Sequence, residues 1–316
     1  MKKHLLCGYY ECKKSLFVQK GLLIVLAGLL LKLVLCFVTK PDLYEITYNT
    51  DVYKYYTEEY GGTYTEEKLA LVEAELQEQQ EIVASFRGEE LLSSEEYMAA
   101  YNRYCIANEK VPVLEAVKAR FMSLKGLQAY DAEFVYDLEL GSYCKKFGLD
   151  WVCLICIAVL TVGIVLGDYR CGMEQLLVPS KLGKRRIGRG KLMAAVVLSG
   201  GLALLCSVLQ NSILFCRWDM GDVQAPIQSY AGFESCTLNI SVLESVVLTG
   251  VLQVVFSMVF ALLVALFAKA VKNEVIAIVA AIVVLAVDGL LIKGSGVGIL
   301  SVSRWLEGLR SLGVFL

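Results

Sequence analysis

Long apolar runs alternate with polar segments along this chain of 316 residues. A helix needs about 20 consecutive apolar residues to cross the hydrocarbon of a bilayer. Five runs are long enough to do so, and all four prolines lie outside them, as unbroken membrane helices require. The pattern therefore predicts an all-α membrane protein with five transmembrane helices, at residues 17–39, 149–167, 192–216, 240–268 and 275–292.

The polar segment between the first two runs, residues 40–148, has a helical pattern of its own. Apolar residues recur at steps of three and four in two stretches, separated by a tyrosine-rich segment that opens at Ser94. This spacing predicts two long antiparallel helices with a shorter one between them, forming a hairpin. Its glutamates are read as solvated faces, and the alternative is a surface that collects cations or a basic peptide. The repeating positions are Leu69, Val72, Leu76, Val83 and Phe86, then Val111, Leu114, Val117, Phe121 and Leu124.

The charges of the connecting segments predict the orientation. Residues 41–144 contain twenty-one Asp or Glu against eight Lys or Arg, whereas residues 168–191 contain seven Lys or Arg against two acids. Short basic loops stay on the cytoplasmic side of a membrane. We therefore expect a multi-pass protein of the cell membrane whose N-terminal residues 1–16 and basic loop are cytoplasmic. The helical insertion, the loop at 217–239 and an amphipathic tail at 293–316 are then extracellular.

Several kinds of catalytic chemistry are excluded by the residues that the chain lacks. His4 is the only histidine, which rules out HExxH zinc sites and histidine-based triads. The sequence contains no GxxxxGK[ST] loop, and in GKRRIGR at 183–189 an arginine stands where the phosphate-binding lysine belongs. We therefore expect no enzyme activity, no cofactor or metal and no nucleic-acid partner, and the lipid bilayer is the first partner.

The eleven cysteines lie mostly in or beside apolar runs, where a thiol acts as a small hydrophobic group. Cys153 and Cys156 form a CxxC inside such a run, and packing is the expected role. Two pairs on the predicted outer side leave disulfides and free thiols as open alternatives. These pairs are Cys105 with Cys144 and Cys216 with Cys236.

Charged residues toward the outer side of the predicted spans include Lys32, Glu244 and Asp288. A lysine at this depth can extend its ammonium group to the interface, which is the simpler interpretation. The alternative is an intramembrane polar site in which Lys32 pairs with Asp288 or with Glu244 and faces a substrate path.

The basic loop also has a candidate docking element. Met173, Leu176 and Leu177 give an apolar stripe on a short helix that must end before Pro179. Six lysines and arginines follow this proline. One interpretation is an anchor on anionic lipid headgroups, and the other is a surface helix that docks into a cytosolic partner.

This loop, GMEQLLVPSKLGKRRIGRGKLMAA, resembles the loop between the second and third spans of ABC-2 type transporter permeases. The N-terminal YYECKKSLFVQKGLLIVL is similar to the amphipathic entry helix of the same family. Asp168 is the nearest acid upstream of Gly172, where a glutamate is usual. The family normally has six spans, so five visible spans leave the sixth open. The matching positions are Gly172, Glu174, Leu176, Leu177, Gly183, Arg185 or Arg186, Ile187 and Lys191.

The resemblance implies the membrane subunit of an ATP-driven exporter. ATP would be used by a separate ABC ATPase subunit, and a second permease copy or a related permease would complete the path. The residues expected to couple to the ATPase are Gly172, Glu174, Leu176, Leu177, Arg185 and Arg186. The alternative function is a membrane sensor or scaffold that binds a ligand or partner through the extracellular helical domain.

Overall fold

The structure is a computed structural model that describes residues 2–41, 43, 46–86, 94–141, 150–170, 181–234, 236 and 238–287. These residues form two compact units, each described by itself below. The bundle unit holds residues 2–40, 150–170, 181–217 and 246–287. The hairpin unit holds residues 41–141 and 218–245 within the described ranges.

Helices make up almost all of the regular structure, and one pair of two-residue strands interrupts them. A π-helical turn at Lys14–Val18 follows the first helix. In chain order the elements are α1 (Lys2–Lys13), α2 (Gly21–Val38), α3 (Thr50–Glu59), β1 (Gly62–Thr63), α4 (Glu66–Ser85), α5 (Ser94–Lys125), β2 (Glu133–Phe134), α6 (Trp151–Arg170), α7 (Lys181–Arg217), α8 (Val242–Val271) and α9 (Glu274–Val287).

Four of these helices are long and apolar enough to cross a membrane. The four segments have mean hydropathies between 2.4 and 2.8, and they are Gly21–Val38, Trp151–Tyr169, Ile187–Arg217 and Val242–Val271. The prediction of a helical chain with several candidate membrane-spanning helices is therefore confirmed. The described part of α9 has 14 residues, and residues 288–292 lie outside the described ranges. The fifth span stays a prediction.

Helix α6 is the most enclosed of the four candidate spans. The structure buries 67% of its apolar window, compared with 22% for that of α2. Its side chains pack into one core with residues of α7, α8 and α9, including Ile157, Leu202 and Ala261. Small residues allow close approach in membrane bundles. At Gly28 in α2, an added Cβ atom would lie 2.5 Å from the Sγ atom of Cys156.

Helix α7 is one unbroken helix of 37 residues. The apolar pattern predicts that the third span begins at residue 192 and that residues 168–191 form a loop. In the structure, residues 181–191 are the first three turns of α7 and continue directly into the apolar part. At a rise of about 1.5 Å per residue the helix is about 55 Å long. The basic segment and the third candidate span are therefore parts of the same rod.

The hairpin unit is built on the antiparallel pair α4 and α5. Salt bridges join Glu73 to Lys118 at 2.9 Å and Glu66 to Lys125 at 3.7 Å, while the Phe86 ring stacks on Tyr104 at 4.6 Å. The residue numbers rise on one helix as they fall on the other, which is the antiparallel order. The predicted hairpin is thus present in the fold.

Helix α5 differs from the prediction in its continuity. The tyrosine-rich segment and the second long stretch form a single helix of 32 residues that runs through Pro112. A proline in a helix interior removes one backbone hydrogen bond and costs about 3 kcal/mol. Phe86, which directly follows α4, lies beside the rings of Tyr97 and Tyr101 in the part of α5 before this proline. The shorter separate helix of the sequence analysis is therefore absent from this described stretch.

The core of the hairpin unit is aromatic. The Phe121 ring lies 4.8 Å from that of Phe134, and both side chains are fully buried with those of Tyr53 and Tyr56. Helix α3 supplies the two tyrosines, and the β1–β2 pairing places Gly62 opposite Phe134. Neither α3 nor these strands were predicted from the apolar pattern.

A buried charged network joins residues 218–245 to the hairpin. Arg120 of α5 lies 3.5 Å from Asp137 and also contacts Glu234. Asp137 accepts hydrogen bonds from the Tyr53 hydroxyl at 3.1 Å and from the Ala231 amide at 3.2 Å. Burial raises the pKa of Asp137, and the charge of Arg120 opposes that rise. The chain segments that follow α2 and α7 thus fold as one unit.

The first prediction concerns this core. Phe121→Ala removes a fully buried ring and should lower the free energy of unfolding of the hairpin unit by about 3–5 kcal/mol. Met122, its neighbour in α5, is 54% exposed, so Met122→Ala should stay within about 0.5 kcal/mol of the parent. Pulse proteolysis of the full chain in urea measures both. Equal losses in the two variants would contradict the described face of α5.

Candidate functional site

Helix α6 has a buried carboxylate at each end. Asp150 directly precedes its first residue, and Asp168 lies in its last turn. Eighteen residues at about 1.5 Å each separate them by about 27 Å, close to the thickness of about 30 Å of the bilayer hydrocarbon. Lysines from other elements pair with both carboxylates. The charged groups therefore stand at the two borders of the candidate span.

At the Asp150 end, the carboxylate is held from two directions. Its Oδ1 atom accepts a hydrogen bond of 3.0 Å from the Cys153 amide, which caps the first turn of α6. Its Oδ2 atom lies 2.9 Å from Lys32 Nζ, and the two side chains are only 3% and 6% exposed. Lys32 lies about 9 Å before the end of α2. Its ammonium group therefore pairs with Asp150 inside the bundle and does not extend to the end of the helix.

Arg217 joins the end of α7 to the end of α2 near this ion pair. Its Nη1 atom donates to the carbonyl oxygens of Cys36 at 2.8 Å and Phe37 at 2.7 Å. These are among the last carbonyls of α2, which have no partner within the helix and favour a cation. Charged side chains therefore hold the start of α6, the end of α2 and the end of α7.

Among the residues predicted for an intramembrane polar site, Lys32 and Glu244 have different partners in the structure. Lys32 is buried, but its partner is Asp150 and not the predicted Glu244 or Asp288. Glu244 accepts a hydrogen bond from the Ser241 amide at 2.9 Å, while Ser241 Oγ accepts one from the Glu244 amide at 3.2 Å. This reciprocal arrangement is a capping box at the start of α8. Asp288 lies outside the described residues.

At the Asp168 end, one carboxylate meets two lysines. Lys14 of the π-helical turn donates a hydrogen bond to Asp168, and Lys191 of α7 lies 2.9 Å from its Oδ2 atom. Lys191 also donates to the Val165 carbonyl at 2.9 Å. A negative charge at a helix C-terminus is unfavourable, so both cations stabilise it. Burial raises the pKa of nearby Glu11, and the charge of Lys14 opposes that rise.

Helix α1 packs on the base of α7 beside this cluster. Cys12 contacts a small core formed by Ile164, Ala194 and Ala195. An added Cβ atom at Gly8 would lie 3.7 Å from Met193. The segment before the first candidate span and the start of the third therefore lie together.

The predicted coupling residues lie mostly beyond the described chain. Gly172, Glu174, Leu176 and Leu177 fall in residues 171–180, which are outside the described ranges. Arg185 and Arg186 occupy positions in the second turn of α7. Their role as ATPase contacts stays a prediction.

The cysteines of the disulfide alternatives are free thiols where the structure describes them. Cys105 and Cys216 are exposed and Cys236 is buried, whereas Cys144 is outside the described residues.

The hairpin unit contains an open cleft of about 420 Å³. Lys54 contacts Asp219 at its edge, and the other charged lining residues are the acids Glu58, Glu133 and Asp222. The cleft therefore carries an excess of negative charge.

Comparisons of this chain with protein-family models, with curated proteins and with solved structures find no match. Function is therefore inferred from the geometry and charge of the chain itself.

The second prediction tests the pair at the Asp150 end. Lys32→Met leaves a buried carboxylate without its cation and should lower the stability of the bundle by about 3–5 kcal/mol. Adding Asp150→Asn removes the remaining charge and should recover part of that loss. Thermal unfolding in detergent, followed by circular dichroism, measures both variants, with exposed Lys20→Met as the control. A double variant that is less stable than Lys32→Met would contradict the pairing.

Proposed function

We propose that the chain is the permease subunit of an ABC-2 type exporter and couples ATP hydrolysis by a separate ATPase to export. The observation that carries the proposal is the continuity of α7. This helix begins at Lys181, includes the positions of Arg185 and Arg186, and runs without a break through the third candidate span to Arg217. A force applied to its basic start therefore acts on the transmembrane part directly.

The contacts around α7 determine which parts would move with it. Asp168 and Lys191 join its base to α6, and Arg217 joins its other end to α2. Helix α1 packs along the base. In the proposed mechanism, closure of the ATPase dimer pushes the loop before Lys181, and α7 transmits this displacement to α6 and α2 as a rigid body.

Residues of the 168–191 segment are assigned roles by the resemblance. Glu174, Arg185 and Arg186 would make the polar contacts with the ATPase, Leu176 and Leu177 would lie in a groove of the ATPase, and Gly172 is the remaining coupling position. The ATPase must be a separate subunit because the sequence contains no phosphate-binding loop.

Charge supports the orientation of the proposal. With residues 1–16 and the basic start of α7 in the cytoplasm, the segments that follow α2 and α7 are both extracellular. These are the segments that fold together in the hairpin unit, as alternate crossings require. A fifth span at 275–292 and an extracellular tail at 293–316 complete the proposed topology in the cell membrane.

The exposed face of α2 supports a second permease copy. Leu22, Leu23, Leu26 and Leu30 are each between 37% and 66% exposed. Lipid or an apolar partner must cover such a face. A second copy of the chain or a related permease would use part of it, since exporters of this type are dimeric.

A second candidate function is a membrane sensor or scaffold that binds a ligand through the hairpin unit. The acidic cleft beside Lys54 and Asp219 is the observation that favours it. Purification of the chain without an ATPase, together with binding of a cationic peptide to the hairpin unit, would support this alternative over the exporter.

The third prediction tests the ATPase partner. The tagged full-length chain, purified in mild detergent from its own cells, should carry a Walker-type ATPase in stoichiometric amount. Arg185→Glu combined with Arg186→Glu should reduce the ATPase yield on the order of tenfold, which corresponds to about 1.4 kcal/mol.

The matched control for this reversal is Arg103→Glu, at an exposed position of α5. It should leave the yield unchanged. Absence of any ATPase from the purified parent chain would overturn the proposed function.

The fourth prediction tests the orientation. In a Cys216→Ser background, which removes the other exposed thiol on the proposed outer side, a membrane-impermeant maleimide added to intact cells should label the exposed Cys105, and adding Cys105→Ser should reduce this signal. A cysteine introduced by Ser180→Cys should add label only after the cells are permeabilised. Labelling of the Ser180→Cys protein in intact cells would place the basic segment outside and contradict the mechanism.

A further inference from the structure

Two thiols and one carboxylate converge inside the bundle unit. The ligand atoms of Asp150, Cys153 and Cys206 all lie within 4.8 Å of one another, and the three side chains are buried. Asp150 directly precedes α6 and Cys153 lies in its first turn, whereas Cys206 comes from the apolar part of α7. We propose that these three residues form a binding site for a thiophilic divalent metal ion of the zinc class.

The geometry fits such an ion with small side-chain movements. Zinc binds thiolate sulfur at about 2.3 Å and carboxylate oxygen at about 2.0–2.2 Å in a tetrahedral arrangement. These bond lengths place neighbouring ligand atoms about 3.5–3.8 Å apart. The atoms here are at most 4.8 Å apart, so a shift of about 1 Å closes the site. Three protein ligands leave the fourth position to water.

The carboxylate is already oriented for coordination. Its Oδ1 atom accepts the hydrogen bond from the Cys153 amide, which fixes the plane of the group. Its Oδ2 atom has no aligned hydrogen-bond donor among the described residues, although Lys32 Nζ lies 2.9 Å away as an ion-pair partner. Partners of this kind, which hold a ligand in place without binding the metal, strengthen metal binding. Oδ2 therefore retains a lone pair for the ion.

The charge balance identifies the ion as divalent. Without metal, the Asp150 carboxylate and the Lys32 ammonium cancel, and both thiols are neutral. On binding, the two thiols lose their protons to water and become thiolates. Two thiolates, one carboxylate, one ammonium and a divalent cation again sum to zero. An uncompensated charge in a buried site is costly, and a monovalent ion would leave one negative charge.

Lys32 therefore has a role that packing alone does not explain. A site with two thiolates and a carboxylate would bear one excess negative charge around a divalent ion, and the buried ammonium removes it. The sequence motif did not reveal the site, because CxxC at 153–156 points to its own two cysteines. Cys156 instead lies against Gly28 of α2, and the second thiol ligand comes from α7.

The fifth prediction uses Co²⁺ as a spectroscopic probe of this site. The full-length chain is purified in detergent, treated with a chelator and titrated with Co²⁺. We expect one Co²⁺ per chain with a thiolate-to-cobalt charge-transfer band and visible bands of tetrahedral strength, and Zn²⁺ should displace it. The result does not depend on export activity or on the presence of an ATPase.

Variants assign the signal to the proposed ligands. Cys206→Ser should abolish the charge-transfer band from the Cys153–Cys206 pair or reduce Co²⁺ affinity at least about tenfold. Cys216→Ser, in the same helix but at an exposed position, should leave the titration unchanged. Both proteins must first elute as the parent does on size exclusion.

Three results would overturn the proposal: no charge-transfer band in the parent, a band that Cys206→Ser does not change, or a disulfide between Cys153 and Cys206 in the purified protein. The last is read by thiol alkylation and mass spectrometry before the chelator is added. Each outcome leaves packing or a redox pair as the role of these thiols.

Discussion

The cost of placing charge inside an apolar bundle determines how the helices of this protein are arranged. Helix α6 has a carboxylate at each end, and each is paired with a lysine because an unpaired buried charge is costly. Lys32 in α2 neutralises one carboxylate, and Lys14 and Lys191 neutralise the other. The lysines fix which helices lie beside α6 and at what height, because an ion pair tolerates little displacement. Apolar contacts then fill the space between these fixed points.

The ion pairs of each unit group the connecting segments in a way that is consistent with repeated membrane crossings. At one end, the segment before α2 lies with the start of α7 through Lys14, Asp168 and Lys191. The segments that follow α2 and α7 fold together through Arg120, Asp137 and Glu234. A chain that crosses a membrane at each candidate span requires this grouping, since alternate connections share a side. The charge counts included these residues but not their pairing, and the pairing supports the alternate crossings of the proposed topology.

The spacing of apolar residues along the chain predicted the positions of most of the long helices. The apolar runs located four candidate spans to within a few residues, and the spacing from Leu69 to Leu124 gave the hairpin. Helix continuity at Pro112 and after Lys181 was missed, because contacts from another part of the chain decide whether a helix continues. The partner of Lys32 was missed for the same reason: Asp150 looked like a span boundary, and no spacing rule connects it to α2. Cys206 has no partner nearby in sequence and becomes informative only when α6 and α7 are side by side.

The proposed metal site bears on how a permease of this kind would move. Lys191 and Cys206 are both in α7, about 22 Å apart along the helix at 1.5 Å per residue. With Lys191 paired to Asp168 and Cys206 sharing an ion with Asp150 and Cys153, α7 would be held to α6 at two heights. Two such connections prevent both tilting and sliding of one helix against the other. Any displacement of α7 must then carry α6 with it, and the surfaces that can change are the exposed faces of α2 and α8, where a second copy would sit.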